Sequence, residues 1–219
     1  MFRRHSIRKR RVVNINITCL GHSGILIELP ELNLIFDYFT DIKIIISPEI
    51  FINKKTCVFV SHSHHDHFNK KIFGWRGFGE VVYILDNSCE GPENARVVKV
   101  GAGEEAVVFD GAASVRTYGS TDEGVSFLVS VDKLSIFHAG DLNCWYWEDE
   151  STPEELIQDE ANYLRIINEI AGKHIDIAFI PEDPRLGIHA GRGIRQFREI
   201  VNPERIIPIH FPGNEGIKY

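Results

Sequence analysis

Residues 57–67 read Cys-Val-Phe-Val-Ser-His-Ser-His-His-Asp-His, an apolar run that ends in five side chains able to hold a metal ion. A short unbroken apolar run is the signature of a buried strand. A polar cluster directly behind it belongs at a sheet edge, where loops converge. In extended backbone His62 and His64 point the same way and can grip one ion together. A turn after His64 redirects Asp66 and His67 toward a second ion, while His65 points away. Imidazole and carboxylate suit zinc, iron or manganese far better than calcium or magnesium. Two neighbouring ions polarise an oxygen substrate and generate hydroxide near neutral pH. The bland alternative is an exposed histidine-rich turn. Five donors behind a buried strand, with an aspartate among them, argue against it.

The rest of the first half is patterned for strands. Residues 14–20 and 24–29 predict a hairpin around Gly21–Gly24, and 32–38 predicts a further strand. Similar runs at 81–85, 96–100, 105–109, 114–118, 125–131 and 134–138 are separated by Gly, Asp and Asn turns. The second half turns helical. Thr152, Pro153 and Glu155 form an N-cap, a first-turn proline and a capping box, and an apolar stripe follows until Gly172. A strand at 175–181, a helix near 193–201 and a strand at 205–210 complete the pattern. Many strands with a few late helices predict two packed sheets with helices outside.

Length and composition bound the remainder. The chain has 219 residues, 43% hydrophobic and 25% charged, as expected of a soluble globular domain. No apolar run approaches the roughly 20 residues that span a bilayer. The formal charge of −7 is uneven. Residues 1–11 carry six basic side chains and no acidic ones, so the remainder stands at −13. A body that acidic repels phosphate backbones, which disfavours nucleic acid as a partner. The arm reads as a solvated extension ahead of a single domain at 12–219. Cys19, Cys57, Cys89 and Cys144 show no CxxC pair, which favours buried thiols in a reducing compartment and a cytoplasmic location.

Two distant features suit the cluster. Gly140-Asp141 follows a strand, and a carboxylate there is free to bridge two ions. His210 ends the last strand. With HxHxDH at His62, His64, Asp66 and His67, with Gly140-Asp141, and with Ile207–His210, the sequence resembles the metallo-β-lactamase superfamily. Leu20-Gly21-His22-Ser23-Gly24 and Ile35-Phe36-Asp37 are similar as well, most of all to its small sugar-phosphate lactonase-like hydrolases. The match runs in order from about 14 to 211. The resemblance implies an α/β (α+β) fold, a four-layer αββα sandwich with the metals on one edge. It assigns His62 and His64 to a first metal, Asp66, His67 and His210 to a second, and Asp141 to both, with zinc, or else manganese or iron, as one or two bound ions.

One departure concerns the first metal. Where the superfamily usually supplies a third histidine, aligned on Val125–Val129, this chain has Ser120, and a neutral hydroxyl is a poor ligand. Asp122 or another nearby group is a candidate substitute. His22 is a candidate catalytic or substrate-contacting group beside the metals, as Asp66 is for orienting the attacking water. Asp37 is placed to orient a ligating histidine. Trp145, Tyr146 and Trp147 wall a pocket or pack in the core, and Arg185 or Arg192 is a candidate for holding an anionic substrate.

The expected activity is hydrolysis of an ester, lactone, amide or phosphodiester bond in a small molecule by metal-activated water. A nuclease on the same fold, favoured only by the basic arm, and a non-catalytic metal-binding or sensor protein, favoured by the missing histidine, are the alternatives. The oligomeric state is open. A first position short of a ligand predicts that mild chelation strips one ion well ahead of the other. Metal content per chain after chelation checks this, and two equally resistant ions would refute it.

Overall fold

The computed structural model describes residues 15–40, 43–213 and 216–219. The basic arm at 1–11 lies outside the described residues.

Two six-stranded sheets face each other. The first runs, in spatial order, β1 (Asn16–Gly21), β2 (Gly24–Glu28), β3 (Leu32–Phe36), β4 (Lys55–Val60), β5 (Val81–Asp86) and β6 (Val97–Val100). The second runs β12 (Arg205–Ile209), β11 (Ile177–Pro181), β10 (Leu134–His138), β9 (Ser126–Val131), β8 (Ala113–Tyr118) and β7 (Glu105–Val108). Each sheet is half hairpin and half parallel. β1–β3 and β7–β10 pair antiparallel, whereas β3–β6 and β10–β12 pair parallel. The parallel strands are buried on both faces, which is why β4, β5 and β11 read as continuous apolar runs rather than alternating ones.

The core between the sheets is aromatic near the site. Phe36 and Phe59 are register partners, and their rings stack at 4.5 Å. Phe127 of β9 meets Phe59 edge-on at 5.3 Å, and His138 of β10 lies flat on Phe36 at 4.8 Å. Such ring pairs contribute about 0.5–1.5 kcal/mol beyond their buried area. The two sheets are therefore locked together next to the strand ends that carry the chemistry.

The outer layers differ from each other. α1 (Pro153–Ile170) and α2 (Arg192–Ile200) cover the second sheet, and Tyr163, Ile166, Ile167 and Phe197 bury against Phe137, Ala178 and Ile180. The first sheet is covered by short 3-10 segments at Pro48–Phe51 and Lys70–Gly77, through Phe51, Ile72, Phe73 and Trp75. The αββα expectation thus holds as a layer order, with one outer layer built of 3-10 turns. Neither segment shows the 3.6-residue periodicity that a sequence pattern can detect, because a 3-10 turn eclipses side chains at i and i+3. Among the described residues no helix is long and apolar enough to cross a membrane. All four cysteines are buried, and none of them forms a disulfide.

The parallel pairing decides where the site lies. Asp37 follows β3, residues 61–67 follow β4, Asp141 follows β10, Asp183 follows β11 and His210 follows β12. All five segments leave from the carboxyl ends of parallel strands, where open α/β sheets place their ligands.

The long helix begins with the capping box seen in the sequence. Thr152 accepts from the Glu155 backbone N–H, and Glu155 accepts from the Thr152 N–H at 2.8 Å. Thr152→Ala is expected to lower stability by about 1 kcal/mol. That corresponds to a fall of about 2–4 °C in Tm for a chain of this size, measured by thermal unfolding of the two proteins side by side.

Candidate metal centre

The turn after β4 is held by a buried carboxylate. Asp37 accepts from the Ser61 backbone N–H at 2.8 Å with one oxygen, and from the Ser61 hydroxyl at 2.7 Å with the other. The second oxygen also takes the His67 Nδ1 proton at 2.8 Å. Burial pushes the Asp37 carboxyl up, but the hydrogen bond and charge of His67 outweigh it and hold it below the usual carboxylate range. Asp37 is therefore an anion that only accepts.

That fixes the protons around it. The single Ser61 hydroxyl proton is spent on Asp37. His62 Nδ1, 2.9 Å from Ser61 Oγ, must then be the donor of that pair. His62 Nε2 is left with a lone pair, and burial keeps the imidazole below its ordinary pKa and neutral. His67 likewise spends Nδ1 on Asp37 and turns Nε2 toward Asp141 Oδ1, 3.0 Å away. His210 repeats the arrangement from the other sheet. Its Nδ1 lies 3.2 Å from Asp183 Oδ2, and its Nε2 lies 3.4 Å from Asp141 Oδ1. Carboxylate or hydroxyl support behind a ligating imidazole selects its tautomer and raises its basicity.

Asp141 is the meeting point. Its Oδ1 faces His67 and His210, while its Oδ2 lies 3.6 Å from His62 Nε2. Burial pushes its carboxyl up, but the facing imidazoles of His210 and His67 hold it far below the usual range. The same contacts act on His67. Burial pulls that imidazole down, and the facing carboxylates of Asp141 and Asp37 overcome it and push it up to about 10 in the polypeptide alone.

The donors fall into two convergent groups. His62, His64 and Asp141 form one, and His22, Asp66, His67 and His210 form the other. Within each, one ligand atom per residue lies within 4.8 Å of all the others. The chemistry of the set fits a metal. His67 Nε2 and Asp141 Oδ1 are buried and make no hydrogen bond among the described residues, although they face each other. Two such atoms in a dry site cost about 1–3 kcal/mol each unless a further partner meets both.

His22 is carried into the second group by main-chain pairing. It sits at φ 52° in the β1–β2 turn, and its carbonyl accepts from the His210 N–H at 3.1 Å. The two rings come within 4.0 Å, and His22 Nε2 lies 3.4 Å from Asp66 Oδ2. The hydrogen bond from His22 holds the Asp66 carboxyl far below its usual range. His22 thus stands among the donors of the second position, beside its expected catalytic place.

Other expectations come out differently. Ser120 is not part of the lining of the cavity beside the donors, and its hydroxyl accepts from the Asp122 N–H at 3.2 Å. Asp122 is exposed and stands outside both donor groups. Arg192 is turned away, in a two-pronged ion pair with Glu160 at 2.8 Å. Arg185 does reach the cavity beside the donors, gripping Asp183 and lying over Trp147 at 5.4 Å. That cavity holds about 630 Å³ and is walled by Trp145, Trp147, Asp159 and Asn162. The aromatic run divides, with Trp145 and Trp147 in the wall, Tyr146 half-buried against the helix core and Cys144 buried within it. His65 lines the mouth and is almost fully exposed.

Two supporting residues lie outside the candidates read from the sequence. Asp183 lies in the Pro181–Arg185 loop, and its role comes from His210, whose Nδ1 is 3.2 Å away. His138 donates Nε2–H to the Ser23 carbonyl at 2.9 Å and accepts the Gly140 N–H at 3.1 Å. It joins the two sheets and aims the backbone ahead of Asp141. Its only sequence signal is a histidine in an otherwise apolar strand.

Known proteins share this arrangement of strands. The β-lactamase superfamily domain matches residues 16–155. The metal-dependent hydrolase YtkL of Bacillus subtilis (strain 168) is 24% identical over 225 residues, covering 90% of this chain and 86% of YtkL. Igni18, a metallo hydrolase of Ignicoccus hospitalis, superposes with a TM-score of 0.59 at 18% identity, over 90% of this chain and 82% of its own. The metallo-β-lactamase fold protein YhfI of Bacillus subtilis superposes with a TM-score of 0.61 at 10% identity, over 94% and 98%. With the family domain matched across both hairpin halves and the HxHxDH turn, the chain belongs to the metallo-β-lactamase superfamily of hydrolases.

Proposed function

We propose that the chain is a metal-dependent hydrolase that cleaves an ester, lactone, amide or phosphodiester bond of a small molecule held in the cavity beside Asp141. The observation that carries this reading is the division of the Asp141 carboxylate. One oxygen faces His67 and His210, and the other faces His62. A single carboxylate between two histidine groups is suited to serve both.

In this reading His62, His64 and Asp141 hold the first ion, and Asp66, His67, His210 and Asp141 hold the second, with His22 as a further donor there. The mixed imidazole and carboxylate set suits zinc, manganese or iron. Bound between these groups, one or two divalent cations supply Lewis acidity and a water of lowered pKa.

The chain's own residues do the rest. Asp37 and Ser61 engage Nδ1 of His67 and His62, and Asp183 lies beside Nδ1 of His210, so Nε2 of each ring is turned toward Asp141. Asp66 enters as an anion, because His22 holds its carboxyl low. It therefore serves as a ligand or a hydrogen-bond acceptor that orients water, not as a proton donor. Trp145 donates its indole N–H to the Asp141 carbonyl at 3.0 Å and stands edge-on to His210 at 5.3 Å. It offers a flat apolar wall next to the reacting groups and excludes water from that side.

His64→Ala and Asp141→Asn are each expected to cut turnover by more than the roughly 10–100-fold typical of groups that only support a ligand, with the fold intact by circular dichroism. The metal-loaded chain is assayed against a panel of ester, lactone, amide and phosphodiester substrates. Full activity in either variant, or no turnover by the parent chain on any bond type, would sink the proposal. Exhaustive chelation is expected to abolish turnover, and readdition of zinc, manganese or iron to restore it.

A further inference from the structure

His64 is the one histidine of HxHxDH whose partner is still unassigned. His62, His67 and His210 each set Nδ1 beside a hydroxyl or carboxylate and turn Nε2 inward. His64 faces the other way, with its Nδ1 lying 3.0 Å from His62 Nε2. The proton of His62 is on Nδ1, so its Nε2 carries a lone pair. Without a cation, that 3.0 Å contact holds a proton. For both rings to share an ion, the proton of His64 must sit on Nε2, and Nε2 lies 3.5 Å from Glu123 Oε2.

We propose that Glu123 is the positioning residue of the first metal position, taking the N–H of His64 Nε2 and so holding the Nδ1 lone pair on the ion. This rests on the metal-dependent reading given above.

The turn that carries Glu123 is clamped on both sides to loops that carry ligands. On one side the Thr121 hydroxyl donates to the Asn143 carbonyl at 2.6 Å and accepts the Asn143 N–H at 3.0 Å. That ties the turn to the loop of Asp141. On the other side the Val125 N–H donates to the Ser61 carbonyl at 3.0 Å. Gly124 lies against the same carbonyl at φ 73°, where an added Cβ would come within 1.9 Å of the Ser61 oxygen. Only glycine permits that approach. Between the clamps Glu123 stands alongside His64, its Oε2 3.5 Å from His64 Nε2. Asp122 next to it lines the cavity instead.

Glu123 is half exposed, so its pairing adds little to fold stability. Its effect is on the orientation and basicity of one ligand. It lies outside the convergent group of His62, His64 and Asp141, which is why it is placed behind His64 and not on the ion.

The test is metal titration of the full chain with Mn²⁺ or Zn²⁺ against a chromophoric chelator. Two ions per chain are expected. Glu123→Ala is expected to weaken one of the two by about 10–100-fold and leave the other within about twofold. Glu123→Gln, whose amide oxygen still accepts an N–H, recovers part of the loss, and Asp122→Ala changes neither ion. Histidine ¹⁵N NMR of the loaded chain is expected to show the His64 proton on Nε2. The proposal is overturned if Glu123→Ala leaves every affinity unchanged. It is equally overturned if that variant holds one ion at saturating metal, which makes Glu123 a ligand, or if His64 carries its proton on Nδ1. A parent chain that binds no metal overturns the metal-dependent reading with it. Two ions bound in the expected pattern with no hydrolysis of any substrate overturn only the hydrolase chemistry.

Discussion

The buried carboxylate of Asp37 is the constraint on which the rest of the site depends. An ion taken out of water costs several kcal/mol unless it is fully paired, and Asp37 is completely buried. Its partners are therefore not optional. The Ser61 N–H, the Ser61 hydroxyl and His67 Nδ1 must all stay where they are. Each of those bonds has a consequence one atom further on. The hydroxyl bond forces His62 to carry its proton on Nδ1. The His67 bond frees Nε2 for the centre. The backbone bond closes the end of β4 against the end of β3. One buried charge thus selects the tautomers of two imidazoles and the path of the turn that holds them.

The fold supplies the place where such a charge can be satisfied. Parallel strands end together, and their loops bring Asp37, the HxHxDH turn, Asp141, Asp183 and His210 to one edge from both sheets. The backbone is strained at that edge. His22, Asp37 and His210 all take left-handed φ values, and Gly140 does the same ahead of Asp141. Such conformations cost about 1–3 kcal/mol for residues with a side chain and persist only where the surroundings over-determine them. Here the aromatic stack of Phe36, Phe59 and His138 lies directly beneath. The rigidity of the core offsets the strain at the rim.

Much of this was legible from residue types and order. Strand and helix positions came within a residue or two, because apolar runs and the Thr152–Glu155 capping box are local signals. The 3-10 segments over the first sheet were not legible, since they lack helical periodicity and are held by Phe51, Phe73 and Trp75 packing onto strands far away in sequence. The same limit applied to the site. HxHxDH is contiguous and could be recognised. Asp183, His138 and Glu123 are single residues whose meaning comes from partners 27, 115 and 59 positions away. Ser120 and Asp122 were candidates by alignment along the chain, yet the turn at 119–124 pairs the Ser120 hydroxyl with the Asp122 N–H, leaves Asp122 in the cavity wall and brings Glu123 alongside His64.

The sequence by itself determined the class of chemistry. Imidazoles and carboxylates in this order, behind a buried strand, commit the chain to holding cations at a sheet edge, whatever its loops do. Tertiary structure alone decided how the donors are divided. It set His22 beside His210 through a main-chain bridge, split the two oxygens of Asp141 between two groups, and placed a carboxylate or hydroxyl behind His62, His67 and His210. The physical reason is that ligand type is a property of a residue. Proton position and direction are properties of its neighbours, and those neighbours come from strands that meet only when the two sheets close.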